Sequence, residues 1–197
     1  MRILAVGGCC SGVGKTTLMC RILESLPRWG ALKVSPVHGE PPHGLEGPYH
    51  LDASAEHAGG DSGRYRAAGA ARVAWLRSRR DSLETAIGDA LDGFADLPGV
   101  LVEGNAAALA SDPDAVVLVA RTGQREIKDS AVAVARRANW VVLNRSAGDG
   151  AAPDPGETSR LEEALGVPLD WVVDAAGRSD AAGMAALLDA IRTWARC

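Results

Sequence analysis

Short apolar runs alternate with amphipathic stretches along most of the chain. The apolar runs predict buried strands at residues 2–7, 31–37, 72–76, 100–102, 115–120, 140–143 and 169–173. Apolar residues at helical spacing predict helices at residues 15–26, 61–71, 81–95, 126–137, 157–165 and 180–195. This alternation is typical of a mostly parallel sheet with helices on both faces, so a three-layer α/β fold is expected.

Three stretches fall outside this pattern. Residues 38–60 are rich in Gly, Pro and His without periodicity, and they predict a long loop. A short Ala-rich stretch after Asn105 is expected to be a turn. Residues 146–157 resemble a linker, but the strand and helix beyond them add one unit to the same sheet. The 197 residues are therefore predicted to form a single domain.

A glycine-rich stretch, V-G-G-C-C-S-G-V-G-K-T-T at residues 6–17, joins the first strand to the first helix. Gly14, Lys15 and Thr16 match the end of the phosphate-binding motif G-x-x-x-x-G-K-[ST], while its first glycine falls on Cys9, with Gly8 one residue early. In such loops backbone N–H groups cradle a polyphosphate at the positive end of a helix. The sequence thus predicts a P-loop NTPase. The expected nucleotide contacts are Cys10, Ser11, Gly12, Val13, Gly14, Lys15, Thr16 and Thr17.

Two carboxylates are expected beside this loop. Glu103 ends a buried strand and precedes a glycine, at the carboxyl edge where parallel sheets bind ligands. Asp61 begins a predicted helix, where a helix N-cap is the alternative interpretation. We predict that Lys15, Glu103 and Asp61 are catalytic and that Thr16, Glu103 and Asp61 hold Mg²⁺ or orient water.

The strand at residues 140–143 leads into Asn144 and Arg145. An Asn at this place is expected to contact the nucleotide base, and the aliphatic stem of Arg145 is expected to lie on it. The guanine-reading pattern N-K-x-D would require Lys at position 145 and Asp at position 147, where the chain has Arg145 and Ala147. Only the Asn of this pattern is present, as Asn144. GTP is therefore modestly favoured, and ATP stays open.

Composition excludes several classes of protein. A net charge of -4 argues against a broad nucleic-acid surface. No apolar run approaches the roughly 20 residues of a membrane span, and no signal peptide is visible, so a cytoplasmic protein is expected. The four cysteines form no disulfide framework. Cys9 and Cys10 are interpreted as small residues that fill a tight loop.

Four segments together resemble the MobB family of molybdopterin-guanine dinucleotide biosynthesis. They are GKTTL at 14–18, KVSPVH at 33–38, GDS at 60–62 followed by RAAGA at 66–70, and LVEG at 101–104. The similarity covers residues 1–145. It implies a homodimer that binds GTP, hydrolyses it weakly and, with a partner protein, assists the transfer of GMP to molybdopterin.

Other functions fit the same residues. The VLNR ending at 142–145 also looks like dethiobiotin synthetase and its ATP-using relatives. An ATP-dependent small-molecule kinase would use residues 38–60 and the cluster Arg77, Arg79 and Arg80 as acceptor site and lid. An NTPase chaperone for another metallocofactor is a further alternative. A regulatory module that binds a nucleotide without turnover would carry the same loop.

Overall fold

The computed structural model describes residues 1–37, 45, 47–53, 60–145, 153–177 and 181–196. The strands are β1 (Arg2–Gly8), β2 (Gly30–Pro36), β3 (Tyr49–Asp52), β4 (Arg72–Ser78), β5 (Gly99–Glu103), β6 (Ala115–Arg121), β7 (Trp140–Asn144) and β8 (Trp171–Val173). The helices are α1 (Lys15–Ser25), α2 (Gly60–Ala67), α3 (Leu83–Asp92), α4 (Asn105–Ala110), α5 (Asp129–Ala135), α6 (Pro155–Leu165) and α7 (Ala181–Arg196).

All of these strands lie in one sheet with the order β3-β4-β2-β5-β1-β6-β7-β8. Every neighbouring pair is parallel except β3 and β4, which are antiparallel. Helix α1 contacts α2 and α7, whereas α4 contacts α3 and α5. Two helical layers thus enclose the sheet, and the predicted three-layer α/β class is confirmed.

Alternating side chains of the central strands supply both halves of the core. In β1, Leu4 and Val6 join the cluster that contains α1 and α7, while Ala5 joins the cluster on the opposite face. Successive residues of a strand point to opposite faces, so a strand buried on both sides reads as a continuous apolar run. Parallel pairing places the carboxyl ends of β1 and β5 side by side, with Val6 opposite Glu103.

Two predicted irregular stretches contain regular structure. Within 38–60, β3 forms the edge of the sheet and pairs with β4, from Tyr49 opposite Ser78 to Asp52 opposite Trp75. A four-residue edge strand is stabilised by its partner, so the sequence shows little sign of it. The Ala-rich turn expected after Asn105 was wrong, because the segment forms α4. Alanine has the highest helix propensity, which explains the difference.

The remaining expectations about loops lie largely outside the described residues. These include residues 38–44 with His38, residues 54–59 and residues 146–152. The segment after them does extend the sheet, since β8 pairs with β7. None of the described helices has both the length and the hydropathy required to cross a bilayer.

Candidate functional site

The glycine-rich loop lies at the carboxyl edge of the parallel sheet, between β1 and α1. Helix α1 begins at Lys15, and its N-cap Gly14 has a φ of 97° with no side chain capping the first turn. A left-handed residue at this point suits glycine, because a Cβ there meets steric resistance. The first N–H groups of α1 are therefore available to an anion at the positive end of the helix.

Gly8 is the residue that lets the lysine side chain come close to the backbone, the role that the motif gives to its first glycine. A Cβ added to Gly8 would lie 2.8 Å from Val13 Cγ2 and 2.9 Å from Lys15 Cδ. The stem of Lys15 therefore crosses directly over Gly8. The expected glycine position is occupied by Cys9, which is fully buried in the opposite face of the core. The glycine one residue early thus accommodates the lysine.

Cys9 behaves as a packing residue. Burial raises the pKa of its thiol to about 11, which leaves it protonated near neutral pH. Thiolates are the reactive and metal-binding form of cysteine, so this environment disfavours redox or metal chemistry. The interpretation of Cys9 as a small residue filling the loop agrees with its position.

Glu103 is held at both oxygens beside the start of α1. Thr16 Oγ1 donates to Glu103 Oε1 at 3.2 Å, and the hydroxyl of the fully buried Tyr65 donates to Glu103 Oε2. Burial, and then the charge of Glu103, raise the pKa of Tyr65 far above its usual range. Tyr65 thus remains a hydrogen-bond donor, and it fixes the direction of the carboxylate.

Asp61 lies in the first turn of α2 next to the same threonine. Lys33 Nζ donates to Asp61 Oδ2, and Arg64 Nη1 lies 3.9 Å from Asp61 Oδ1. Burial acts to raise the pKa of Asp61, but hydrogen bonds from Lys33 and Thr16 and the charges of Lys33 and Arg64 together lower it. Asp61 is consequently a charged carboxylate within reach of Thr16. Its roles in catalysis and metal binding remain predictions.

Asp61→Asn should lower the free energy of unfolding near neutral pH and lower it less in acid. Because the folded-state pKa of Asp61 is below its ordinary value of 3.8, its charge stabilises the fold above about pH 4 and ceases to do so as the pH falls through the lowered pKa. Urea unfolding of the wild type and of Asp61→Asn between pH 3 and pH 7 measures the difference in their free energies of unfolding. The wild-type advantage should shrink toward pH 3, and an advantage that is equal at both ends would contradict the assignment.

Asn144 connects the phosphate loop to the end of β8. Its side chain is 7% exposed, its Nδ2 donates to Val13 O at 2.9 Å, and its Oδ1 accepts from Ala175 N at 3.0 Å. The sequence predicted a contact with a nucleotide base, whereas the structure gives both ends of the amide a backbone partner. Arg145 follows, with its backbone N–H donating to Val173 O at 2.8 Å. Contacts of Asn144 and Arg145 with a base remain predictions.

Asn144→Ala should destabilise the fold by about 2–4 kcal/mol, since two buried backbone groups would each lose a partner. Asn139→Ala is the matched control, because the exposed Asn139 makes one comparable bond, from Val116 N to its Oδ1 at 2.9 Å. Asn139→Ala leaves one backbone group without its partner instead of two, so a smaller loss of about 1–2 kcal/mol is expected there. Urea denaturation that ranks the two variants equally would argue against the role of Asn144.

Several residues of the site were missing from the predicted set. Asn105 Oδ1 accepts from Gly8 N at 2.7 Å, while its Nδ2 donates to Gly8 O at 3.0 Å and to Ser130 Oγ at 3.0 Å. Arg121 Nη1 donates to Gly12 O at 3.2 Å. Both side chains hold the loop backbone in place. Lys33 had a visible signal, because the chain has 18 Arg and only three Lys.

The residues present fit a magnesium ion. Among the described residues no group of three or more His, Cys, Asp or Glu side chains forms a metal site. A phosphate-bound Mg²⁺ does not require one, because phosphate oxygens and water supply most of its ligands. Thr16 contacts both Glu103 and Asp61, so one hydroxyl and two carboxylates would hold such an ion.

Comparison with known proteins identifies the fold. No protein-family model matches the sequence, and no curated protein matches it. Among solved structures, the hydrogenase maturation factor HypB of Archaeoglobus fulgidus is 15% identical, with a TM-score of 0.55 over 99% of this chain and 90% of that one. The cell division protein MinD of Aquifex aeolicus is 14% identical, with a TM-score of 0.52 over 98% of this chain and 97% of that one.

These similarities, with the loop between β1 and α1, show that the chain has the three-layer α/β fold of P-loop NTPases. At this level of identity the likeness concerns the fold alone. The resemblance to the MobB family remains a prediction.

Proposed function

We propose that this protein binds a nucleoside triphosphate together with Mg²⁺ at the loop of residues 9–17 and hydrolyses it slowly. The contact between Thr16 and Glu103, beside a Lys15 folded over Gly8, is the observation that carries this proposal. It joins the hydroxyl, the carboxylate and the ammonium that the chemistry requires in one place. Backbone N–H groups of residues 11–17 would supply most of the phosphate contacts.

Each side chain has a defined task in this proposal. Lys15 neutralises the β- and γ-phosphates, and Thr16 with Glu103 and Asp61 provides oxygen ligands for the metal or for the attacking water. Mg²⁺, when bound, would offset the charge of the phosphates. Both oxygens of Glu103 already accept hydrogen bonds, from Thr16 and Tyr65. A carboxylate occupied in this way is a weak general base, which is consistent with slow turnover.

Nucleotide preference is tested by thermal unfolding with Mg²⁺ and either GTP or ATP. A ligand that binds only the folded state stabilises it by about 2.7 kcal/mol at 100 times its Kd. We expect GTP to raise the Tm more than ATP, because the resemblance to the MobB family implies GTP. A phosphate-release assay then measures hydrolysis. If neither nucleotide shifts the Tm, the proposed function is wrong.

The biological role we propose is assistance to molybdopterin-guanine dinucleotide synthesis by a cytoplasmic homodimer acting with a partner enzyme. Support comes from the four segments that carry the MobB resemblance, because one residue of each belongs to a single chain of contacts. These residues are Lys33, Asp61, Thr16 and Glu103. Addition of the protein to a purified molybdopterin guanylyltransferase should increase product yield, and Lys15→Ala should not. Equal yields with both proteins would count against this role.

A further inference from the structure

A cavity of about 560 Å³ lies at the carboxyl edge of the sheet, on the side of α3, α4 and α5. Pro36, Leu83 and Leu109 contribute to its apolar wall, and Gly104 forms part of its floor. Its volume falls in the range of about 300–1,000 Å³ that is usual for small-molecule sites. The proposed function makes no use of this space.

Among the described residues that line the cavity, positive charge is in excess. Arg80 and Lys128 are the two cations of this set, and Glu84 is its one carboxylate. Within the described part of the chain neither Arg80 nor Lys128 has an ion-pair partner. In a protein with a net charge of -4, two cations without partners around one cavity favour an anionic ligand.

Hydrogen bonds connect the floor of the cavity to the phosphate loop. Asn105, which lines the cavity, holds both the N–H and the carbonyl of Gly8. The backbone N–H of Lys128 donates to Cys9 O at 3.0 Å. Gly104 directly follows Glu103 in the sequence. A ligand that moves this floor therefore acts on the first residues of the loop.

We propose that this cavity binds a small organic anion, with an apolar body and one phosphate or carboxylate group, and that Asn105 couples its binding to that of the nucleotide. The apolar body contacts Leu83 and Leu109, and the anionic group pairs with Arg80 and Lys128. The coupling rests on the proposed function, whereas the cavity site does not. By linkage, each ligand changes the affinity of the other by the same factor.

Calorimetry with 1-naphthyl phosphate tests the site. The double variant Arg80→Ala/Lys128→Ala should weaken binding by about tenfold or more, because it removes both charge-assisted hydrogen bonds to the anionic group. Leu109→Trp should block it by filling the cavity. Arg160→Ala, which removes an exposed cation from α6, is the control and should leave it unchanged. The neutral 1-naphthol should bind more weakly than the phosphate. Undiminished binding to both cavity variants would overturn the proposal.

Coupling is tested by repeating the titration with Mg²⁺ and a non-hydrolysable GTP analogue. The affinity of 1-naphthyl phosphate should change by about fivefold or more, in the range typical of coupled sites. Asn105→Ala should remove that change, and Ser130→Ala, which deletes only one partner of Asn105, should reduce it. An unchanged affinity in the wild type would overturn the coupling.

The two proposals fail separately. Lys15→Ala should strongly weaken nucleotide binding and leave the binding of 1-naphthyl phosphate intact. If the probe binds in the wild type but no nucleotide does, the proposed function fails and the cavity site stands. If the nucleotide binds while the probe does not, the cavity proposal fails.

Discussion

Lys15→Ala is expected to weaken the binding of Mg²⁺ and GTP by about 100-fold or more. The variant would lose the charge-assisted hydrogen bonds from the ammonium to two phosphates, which contribute about 1.5–3 kcal/mol each. A loss of about 1.4 kcal/mol raises the Kd tenfold. Lys15 is half-buried, with its stem over Gly8, so its truncation removes a ligand contact without opening the core. Isothermal titration calorimetry measures the affinity, and the Tm without nucleotide confirms folding.

Arg160→Ala serves as the matched control for this variant. It also removes one cation, from an exposed position on α6 away from the loop. Nucleotide affinity should stay within about twofold of the wild type, because an exposed distant charge is screened by salt. Wild-type affinity in Lys15→Ala would place the nucleotide somewhere other than this loop.

Gly14→Ala is expected to destabilise the fold by about 2–5 kcal/mol and to abolish nucleotide binding. Its φ of 97° opposes a side chain, which contributes about 1–2 kcal/mol. A Cβ at this position would also lie 2.3 Å from Asn144 Nδ2. Asn144 would have to release Val13 O, which adds about 1–3 kcal/mol for a buried unpaired group. Urea denaturation and calorimetry measure the two effects.

Gly12→Ala separates backbone strain from the clash. Gly12 also has a positive φ, of 74°, but a Cβ there would meet nothing within 4 Å. Only the conformational penalty of about 1–2 kcal/mol is expected. Equal destabilisation by the two alanine variants would show that the contact between Gly14 and Asn144 has no energetic importance.

The fold was largely predictable because burial on both faces leaves a continuous apolar signal. The central strands β1, β5 and β6 have such runs and lie where the pattern indicated. Strand β3 was missed, since an edge strand of four residues depends on its neighbour rather than on its own pattern. Helix α4 was missed because its alanines, of which Ala107 and Ala108 are buried, give no amphipathic contrast.

The candidate site was predictable where residues follow a local motif. Lys15 and Thr16 belong to one, and Glu103 ends a strand next to them in the sheet. The scarcity of lysine is a signal for Lys33, but its contact with Asp61, 28 positions away, was not found. The contact of Tyr65 with Glu103, 38 positions away, was not found either. No local pattern announces such contacts.

Position within the loop also misled the sequence interpretation in one respect. The motif placed its first glycine at Cys9, and the glycine at position 8 appeared displaced. In the structure Gly8 is the residue beneath Lys15, and Cys9 points into the core. The loop requires a residue without a side chain beneath the lysine. Gly8 meets this requirement, and Asn105 holds its N–H and its carbonyl in place.

A crystal structure with Mg²⁺ and a non-hydrolysable GTP analogue tests the central claim most directly. The account predicts that the phosphates lie on the N–H groups of residues 11–17 with Lys15 Nζ beside the β- and γ-phosphates. It also predicts that the metal binds Thr16 Oγ1, with Glu103 and Asp61 around it. A triphosphate bound outside this loop, or a metal without Thr16 among its ligands, would contradict the account.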